Sequence, residues 1–474
     1  MNAKTRKQEL AQKRATQRAI EAELEKEPTH GTLLGKRFVV VGLGKSGVGA
    51  VDLLLRRGAH VLAIDENPNS SVKFSSRHFE LSAGAFPARY WEGAAAVVVS
   101  PGVPLSKPEL AAARAAGVPV YGEIELAWRF RGAGAGPILG ITGTNGKSTT
   151  TALLGHIITL HQSDSFVGGN LGTAFTTAYV DPARRGYAMH VVELSSFQLE
   201  GMDTAELLGS AILNLTPDHL DRYASHVDYG AAKARIFRTQ PANGFAVING
   251  DDPHVVELAK QAKVTVYRFT LHAEQAAEAR ATSSESFSFD GVTYRVANRA
   301  LRGAHNLQNA MAAAMLASLA GVPAEVVQRG LDSFPGLPHR LEFVRDVGGV
   351  EWINDSKATN VDSSLVALNA LAGRVWLIAG GKGKGAPYAP LVQAAKGKLR
   401  GVLTIGADAP AIATAFASET TVEACGTLEK AVARAKEVAV AGDTVLLSPA
   451  CASYDQFDHF EHRGDTFKTL VRAL

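Results

Sequence analysis

The sequence of 474 residues is poor in cysteine and lacks long apolar runs, and each shortage excludes a class of protein. Its two cysteines, Cys425 and Cys451, are too few for a disulfide framework, which favours a reducing compartment. No uncharged apolar run approaches the roughly 20 residues of a transmembrane helix, and the charged N-terminus lacks the apolar core of a secretion signal. The net charge of +3 leaves no excess suited to a polyanion. We therefore predict a cytoplasmic protein without stable membrane insertion and without a nucleic-acid partner. We also expect a monomer, although these features do not determine the oligomeric state.

The chain is too long for one ordinary domain, and its composition suggests where it divides. Residues 132–137 form a glycine-rich break, and Pro335 and Pro338 mark a second one. The first 34 residues carry basic and then acidic side chains, with too few apolar ones to pack, so we expect a solvated, partly helical tail. The predicted division is a tail over 1–34, followed by α/β domains over 35–133, 134–336 and 337–474.

The stretch 137–150 has the pattern of a phosphate-binding loop. A short apolar run ends in G-T-N-G-K-S-T, after which the sequence favours a helix. Glycines let backbone N–H groups point at a phosphate, a helix N-terminus adds partial positive charge, and Lys147 adds a full one. The hydroxyl of Ser148 is suited to Mg²⁺. Because Ile141 replaces a glycine of the usual pattern, a plain glycine-rich connector is the alternative. The predicted phosphate-binding residues are Gly143, Thr144, Asn145, Gly146, Lys147, Ser148 and Thr149.

A second glycine turn, G-L-G-K-S-G over 42–47, follows the apolar run 38–41. Asp65 ends the next apolar run, about 20 residues further on, as in dinucleotide-binding folds. Taken alone, this spacing points to NAD. Any strand-to-helix turn that receives a diphosphate needs the same geometry, however, so a UDP-linked substrate fits equally well.

Further charged side chains follow apolar runs, but their pattern alone leaves ordinary structural roles open. Glu193 ends such a run downstream of the phosphate loop, where nucleotide-hydrolysing enzymes place a Mg²⁺-binding acid. His219 is by pattern more often a hydrogen-bonded structural residue, and Lys233 a solvated helix lysine. Asp355 and Lys357 suit a ribose or a carboxylate, or they pair with each other. Residues 264–296 alternate as antiparallel strands do, and 306–319 predict a helix.

Five motifs together resemble the Mur ligase family, in order, over essentially all of 35–474. They are G-T-N-G-K-S-T at 143–149, E-L-S-S-F-Q-L-E at 193–200, L-P-H-R at 337–340, N-D-S-K-A-T-N at 354–360 and L-S-P-A-C-A-S at 447–453. The resemblance implies an N-terminal Rossmann-like domain that binds UDP, a central P-loop ATPase-like domain with a mixed sheet, and a C-terminal Rossmann-like domain. It also implies ATP-dependent addition of D-glutamate to UDP-N-acetylmuramoyl-L-alanine in peptidoglycan synthesis.

The resemblance assigns residues to four ligands. It places the UDP substrate on Gly44, Lys45, Ser46, Asp65, Ser100, Pro101, Gly102 and Asn170. It places two Mg²⁺ ions on Ser148, Glu193, His219 and a carbamylated Lys233. It adds Asn306, Asn309, Arg340 and Asp355 to the ATP site and assigns the amino acid to Lys357, Thr359, Lys384, Ser453 and Phe460. His339 is expected to orient the acceptor, beside Lys147, Glu193, His219 and Lys233 as the catalytic set.

Other interpretations remain open at this point. Within the class, the alternatives are a sister muropeptide ligase or a ligase like folylpolyglutamate synthetase, using another amino acid. Outside it, the alternatives are an NAD-dependent oxidoreductase built on 42–65, which leaves the phosphate loop unexplained, and a non-catalytic nucleotide-binding regulator.

Overall fold

A computed structural model describes residues 33–132, 134–181, 184, 186–219, 222–371 and 373–474. The tail expected over 1–34 lies outside these ranges except for Leu33 and Leu34, and Leu33 is buried in a hydrophobic core. The chain forms two compact units: unit 1 is Met1–Thr270 with Ala312–Pro323, and unit 2 is Leu271–Met311 with Ala324–Leu474. Among the helices of the described ranges, none is both long and apolar enough to cross a membrane.

The first sheet of unit 1 is parallel and has the order β3-β2-β1-β4-β5. Valine-rich strands such as Phe38–Val41 are buried, as is usual where helices cover a parallel sheet. The strands are β1 (Arg37–Val41), β2 (His60–Asp65), β3 (Phe79–Ala83), β4 (Ala94–Val99) and β5 (Val120–Gly122). The helices are α1 (Lys45–Arg56), α2 (Pro108–Ala115) and α3 (Glu123–Arg129).

Unit 1 continues with parallel strands in the order β11-β10-β9-β6-β8-β7. They are β6 (Ile138–Thr142), β7 (Ser165–Gly169), β8 (Met189–Glu193), β9 (Gly209–Ile212), β10 (Phe245–Asn249) and β11 (Thr265–Thr270). The helices are α4 (Lys147–His161), α5 (Ser196–Glu200), α6 (His226–Ala234) and α7 (Pro253–Ala259), with short 3₁₀ turns at Phe175–Tyr179 and Arg235–Phe237.

The strand order places the polar loops of unit 1 together. Parallel strands present their carboxyl ends at one edge, and open α/β sheets bind ligands where the strand order reverses. In the first sheet that point lies between β1 and β4, so the turn after Val41 faces the turn after Val99. In the second sheet β6 lies between β8 and β9, so the phosphate loop is flanked by Glu193, the last residue of β8.

Unit 2 begins with the antiparallel strands β12 (Ala279–Ser283), β13 (Ser286–Phe289) and β14 (Val292–Arg295). The antiparallel prediction for 264–296 holds for these three but is wrong for β11, which pairs parallel to β10. Helix α7 intervenes between β10 and β11, and a helical crossover returns the chain in the same direction. A 3₁₀ turn (Arg299–Leu301) leads into α8 (Ala304–Leu319), whose residues from Ala312 onward belong to unit 1. Helix α9 (Ala324–Ser333) follows in unit 2.

The second sheet of unit 2 has the order β15-β16-β20-β17-β18-β19, with only the β15–β16 pair antiparallel. Its strands are β15 (Glu342–Val347), β16 (Val350–Asn354), β17 (Val375–Gly380), β18 (Leu399–Ile405), β19 (Thr421–Gly426) and β20 (Thr444–Leu447). The helices are α10 (Val361–Asn369), α11 (Ala389–Ala395), α12 (Ala409–Phe416), α13 (Leu428–Val438) and α14 (Phe460–Arg472). The predicted α/β class, with Rossmann-like sheets near both ends of the chain, is confirmed.

Candidate functional site

The phosphate loop has the strand–turn–helix geometry that its sequence predicts. Gly143 (φ 155°) and Gly146 (φ 81°) adopt backbone angles that favour glycine, and α4 starts at Lys147. The Lys147 amine donates to the carbonyl oxygens of Gly143 and Thr144, both at 2.8 Å, which holds it over the loop. The partial positive charge of the α4 N-terminus and the full charge of Lys147 therefore both lie at the phosphate loop, which favours a bound anion there.

Lys233 is the buried lysine of the same site. Its side chain is 1% exposed on α6, and its Nζ donates to the Gly143 carbonyl oxygen at 2.8 Å. Burial, together with the nearby Lys147 charge, lowers the Lys233 pKa to about 6, although Asp218 and Glu193 act in the opposite direction. The amine of Lys233 is therefore largely neutral at pH 7, unlike a solvated helix lysine.

Buried Glu193 and exposed Asn170 form a hydrogen-bonded pair at the ends of β8 and β7. The Asn170 Nδ2 donates to Glu193 Oε1 at 2.6 Å, and the Asn170 backbone N–H donates to the Glu193 carbonyl at 2.9 Å. Glu193 is 1% exposed, and its Oε2 has no hydrogen-bond partner among the described residues. An orphaned buried carboxylate oxygen is costly, and a bound cation is one way to satisfy it.

His219 has strained backbone geometry and packs among aromatic rings. Its φ is 53°, and its ring centroid lies 4.8 Å from that of Phe197 and 5.9 Å from that of Tyr229. Its Nε2 lies 3.6 Å from Asp218 Oδ2. Across the described ranges, no three His, Cys, Asp or Glu side chains form a ready-made metal site. A metal here would therefore need oxygen atoms beyond these side chains.

A cavity of about 420 Å³ opens at the switch point of the first sheet. All eight residues predicted for the UDP substrate line it, from the turns after β1, β2, β4 and β7. Asp65 accepts from the backbone N–H of Leu43 at 2.7 Å and from that of Asn67 at 2.9 Å, so its carboxylate also fixes the glycine turn. Sequence reasoning missed Gln198, which also lines the cavity. It is the last residue of an S-x-x-Q capping box that starts at Ser195, a pattern visible in the sequence.

Two glycines of the first turn have different physical roles. A Cβ on Gly47 would lie 1.9 Å from the Gly42 carbonyl oxygen and 2.7 Å from Ser100 Oγ, so only glycine fits there. A Cβ on Gly44 would meet nothing within 4 Å, and its φ of −68° suits any residue. The first keeps the turn closed, and the second leaves room beside the cavity.

In unit 2, Asp355 is buried directly after β16. Its carboxylate accepts from Ser448 Oγ at 2.7 Å and from the Leu341 N–H at 3.1 Å. Burial raises the Asp355 pKa to about 7, even though Arg340 and Arg463 favour the charged form. These described contacts of the Asp355 carboxylate are with a hydroxyl group and a backbone N–H.

His339 is held inside unit 2. It has a φ of 63°, is 6% exposed, and its Nδ1 lies 3.0 Å from Asn354 Nδ2. Burial and the Lys468 charge lower its pKa, so a neutral ring is favoured. A Cβ on Gly464 would lie 2.1 Å from the same Nδ1, which explains the glycine in α14. These contacts fix the turn that carries Arg340.

Arg463 was not found by sequence reasoning, although it links two predicted loops. It is 1% exposed, its Nε donates to Ser356 Oγ at 2.9 Å, and both terminal nitrogens donate to the Cys451 carbonyl at 3.1 Å. The Ser356 Oγ in turn donates to the Phe460 carbonyl at 2.8 Å. No local pattern in the sequence distinguishes this arginine from a solvated helix residue.

The residues predicted to bind the amino-acid substrate differ in their contacts and in their exposure. Lys357 Nζ lies 5.9 Å from the Phe460 ring centroid, and Ser453 is 2% exposed beside the bridge that pairs Lys382 with Ala452. Thr359 is half-buried on the 354–360 loop, whereas Lys384 is exposed after β17.

The two asparagines predicted for ATP contact each other at the start of α8. The Asn309 Nδ2 donates to Asn306 Oδ1 at 3.1 Å, and Asn306 donates to the Arg302 carbonyl at 3.0 Å. A cavity of about 620 Å³, lined by Ser284, Gly303 and their neighbours, lies beside the same end of α8.

Three family models match the chain in order. They are "Mur ligase MurD-like, N-terminal domain" over 36–122, "Mur ligase middle domain" over 141–317 and "Mur ligase, glutamate ligase domain" over 339–451. The chain belongs to the Mur ligase family. It is therefore an ATP-dependent ligase of peptidoglycan synthesis, and the oxidoreductase and non-catalytic alternatives do not hold.

Curated relatives agree with this assignment, and a solved structure shares the fold. The UDP-N-acetylmuramoylalanine–D-glutamate ligase of Myxococcus xanthus is 55% identical over 455 residues, which is 93% of this chain and 99% of the relative. The ligase of the same name from Anaeromyxobacter dehalogenans is 49% identical, over 93% of this chain and 98% of the relative. The MurF ligase of Thermotoga maritima, solved with ADP, shares the fold with a TM-score of 0.61 at 18% identity, over 94% of this chain and all of that one.

Proposed function

We propose that this ligase joins D-glutamate to UDP-N-acetylmuramoyl-L-alanine, as the names of its relatives state for them. One relationship carries the proposal at the level of the site: Asn170 lines the 420 Å³ cavity and donates to Glu193 beside the phosphate loop. A sugar nucleotide seated in that cavity can extend its acyl end past Asn170 towards the transferred phosphate. We also propose that the protein is a monomer and that it acts in the cytoplasm; its two free cysteines are in keeping with a reducing compartment.

The glycine turn at 42–47 supports diphosphate binding in the cavity. Backbone N–H groups at the start of α1 and the amine of Lys45 supply positive charge, and the hydroxyls of Ser46 and Ser100 lie on the same lining. Ser100 Oγ is itself engaged, donating to the Gly42 carbonyl at 2.7 Å, so it shapes the turn. Lys45 and Ser46 are therefore the side chains available for the diphosphate.

The residues around the phosphate loop fit magnesium. Glu193 offers a buried oxygen without a partner, Ser148 a hydroxyl at the start of α4, and His219 an imidazole. Because Mg²⁺ prefers oxygen donors, a carbamate on Lys233 would complete the set, and its near-neutral amine is the form that reacts with CO₂. Two bound ions would neutralise charge on the phosphate oxygens during transfer.

The proposed reaction has two covalent steps. A carboxylate oxygen of the L-alanyl group attacks the γ-phosphorus of ATP, the bond to the bridging oxygen breaks, and ADP leaves. The amine of D-glutamate then attacks the acyl phosphate carbon, forming the C–N bond while phosphate departs with the C–O electrons and a proton is released. Lys147 holds the phosphoryl oxygens during the first step, and exclusion of water protects the acyl phosphate from hydrolysis.

The family resemblance supplies the remaining contacts in this proposal. Asn306, Asn309, Arg340 and Asp355 bind the nucleotide, and Lys357, Thr359, Lys384, Ser453 and Phe460 bind D-glutamate. Lys357 and Lys384 supply two positive charges for a dicarboxylic acceptor, one for each carboxylate. His339 orients the acceptor indirectly, because its carbonyl accepts from the Lys357 N–H at 3.0 Å.

The test is phosphate release from ATP with UDP-N-acetylmuramoyl-L-alanine across a panel of L- and D-amino acids. D-glutamate alone should support release with a matching amide product. Preference for another amino acid would instead indicate a sister muropeptide ligase. Release with a folate acceptor in place of the sugar nucleotide would indicate a folylpolyglutamate-type ligase.

A further inference from the structure

Arg222 lies beside the lining of the cavity, and none of the roles proposed above uses it. Its Nη1 donates to the Pro101 carbonyl oxygen at 3.1 Å, on the lining of the cavity. Its Nη2 donates to Glu200 Oε2 at 3.0 Å, at the end of α5. The Arg222 side chain is only 13% exposed, so these bonds are partly shielded from water. One guanidinium therefore ties the turn after β4 to α5.

The same guanidinium also reaches His219 through an aromatic ring. The Arg222 Cζ lies 4.3 Å from the Phe197 ring centroid, within cation–π range. The same Phe197 ring also contacts His219, whose ring centroid is 4.8 Å from that of Phe197. Tyr223 stacks on Phe197 at 5.9 Å and restricts how that ring can turn. The Phe197 ring therefore links the Arg222 guanidinium to the His219 ring through two direct contacts.

We propose that Arg222 is a positioning residue that couples sugar-nucleotide binding in the cavity to the placement of His219 at the metal site. This inference rests on the proposed function, because it takes the cavity as the sugar-nucleotide site and His219 as a metal ligand. When a ligand fixes the turn at Pro101, the guanidinium is fixed too, and Phe197 holds His219 in its strained conformation. Each ligand then lowers the cost of ordering the site for the other, which is positive coupling.

Arginine is the residue type that this role needs. Its planar fork can hold a carbonyl and a carboxylate in two directions while its face remains against a ring. A lysine at 222 has one charged nitrogen, so it can keep the Pro101 or the Glu200 contact but not the ring contact as well. A methionine keeps the apolar volume against Phe197 and loses all of the polar contacts.

The experiment measures coupling by calorimetry. The sugar nucleotide UDP-N-acetylmuramoyl-L-alanine is titrated into the full-length protein with and without saturating Mg·ADP, a pair that cannot react. The variants are Arg222→Met and Arg222→Lys, with Arg238→Met as the control, since Arg238 is exposed and pairs only with Asp203 in its described contacts. Coupling is the ratio of the two dissociation constants, and by reciprocity it equals the effect of the sugar nucleotide on Mg·ADP.

In the wild type and the Arg238 variant, Mg·ADP should tighten sugar-nucleotide binding about fivefold or more. In the Arg222→Met protein the ratio should fall below about twofold, while Mg·ADP alone binds as in the wild type and so reports an intact phosphate loop. The Arg222→Lys protein should lie between them, and it decides the matter if the methionine variant does not fold. Unchanged coupling in a folded Arg222 variant, or no coupling in the wild type, would overturn the inference alone. A wild type that binds no sugar nucleotide would contradict the proposed function itself.

Discussion

The amine of Lys233 lies 2.8 Å from the carbonyl oxygen of Gly143, so a buried lysine of α6 is joined directly to the phosphate loop. The contact satisfies one N–H but leaves the amine in a dry site near Lys147, where a second positive charge is unfavourable. The protein thus keeps Lys233 in the neutral form that carbamylation requires. The chemistry proposed for the metal site depends on this arrangement.

The first prediction concerns carbon dioxide. Because the Lys233 pKa is about 6, the amine is neutral above that pH and reacts with CO₂, whereas below it the amine is protonated and does not. Activity in CO₂-depleted buffer should therefore fall and recover on addition of bicarbonate, with recovery failing at pH 5.5. With ¹³C-labelled bicarbonate, a carbamate carbon signal should appear in the wild type and be missing from Lys233→Met.

The Lys233→Ala protein extends that test. It should lose about a hundredfold or more in kcat, because the carbamate oxygens on the metals disappear, with partial rescue by a small added carboxylate. Full activity of this variant without rescue would remove the carbamate role.

The second prediction compares two buried glutamates of unit 1. Glu193→Gln replaces the orphaned oxygen by an amide, and we expect Mg²⁺-dependent ADP binding to weaken about tenfold to a hundredfold. Glu123 is also fully buried with an Oε2 lacking a described partner, but burial raises its pKa to about 7 and it accepts the Thr176 N–H away from the loop. Glu123→Gln should therefore leave metal and nucleotide binding unchanged. Equal loss in both variants would mean that packing, not metal binding, explains Glu193.

The third prediction concerns two glycines of the first glycine turn, of which one is needed for stability and the other for ligand binding. Gly47→Ala places a methyl group against the Gly42 carbonyl and should destabilise unit 1 by about 1–3 kcal/mol in chemical denaturation. Gly44→Ala meets no protein atom, so its stability should match the wild type. Its methyl group projects beside the cavity, and we expect sugar-nucleotide binding to weaken about tenfold by calorimetry. Normal binding by a stable Gly44→Ala protein would place the diphosphate elsewhere.

The fourth prediction follows from the raised pKa of Asp355. Its carboxyl holds a proton up to about pH 7 in the folded protein but only to about 3.8 when unfolded. Between these values the folded state binds the extra proton, so this contribution to stability is present at low pH and is lost as the pH rises through 7. Asp355→Asn should abolish a stability difference on the order of 2 kcal/mol between pH 5 and pH 8. Asp362→Asn, which changes an exposed acid of α10, should keep it.

Much of the fold and of the cavity follows from the sequence because local patterns determine both. Apolar runs that end in glycine turns predict parallel strands, and their carboxyl ends must meet at one edge, which is why eight residues from four turns line the same cavity. The prediction of antiparallel pairing was wrong for β11. Alternation of apolar and polar residues does not show whether a helix connects two neighbouring strands and so makes them parallel.

The sequence patterns missed residues whose roles depend on burial and on contacts with distant parts of the chain. Lys233 has the local sequence pattern of a solvated helix lysine, yet its side chain is only 1% exposed. Among sequence features, only the family resemblance assigns it a function. Arg222 and Arg463 act on backbone groups far away in the chain, such as the Pro101 and Cys451 carbonyls. No spacing rule predicts such partners, because tertiary packing brings them together.

The most direct test of the account follows oxygen atoms. The protein is incubated with Mg·ATP, D-glutamate and UDP-N-acetylmuramoyl-L-alanine that carries ¹⁸O in the alanyl carboxylate. The masses of the products are then measured by mass spectrometry. If ATP activates that carboxylate, each new amide bond transfers one ¹⁸O to the released phosphate. Amide formation with unlabelled phosphate, or ATP turnover without amide, would contradict it.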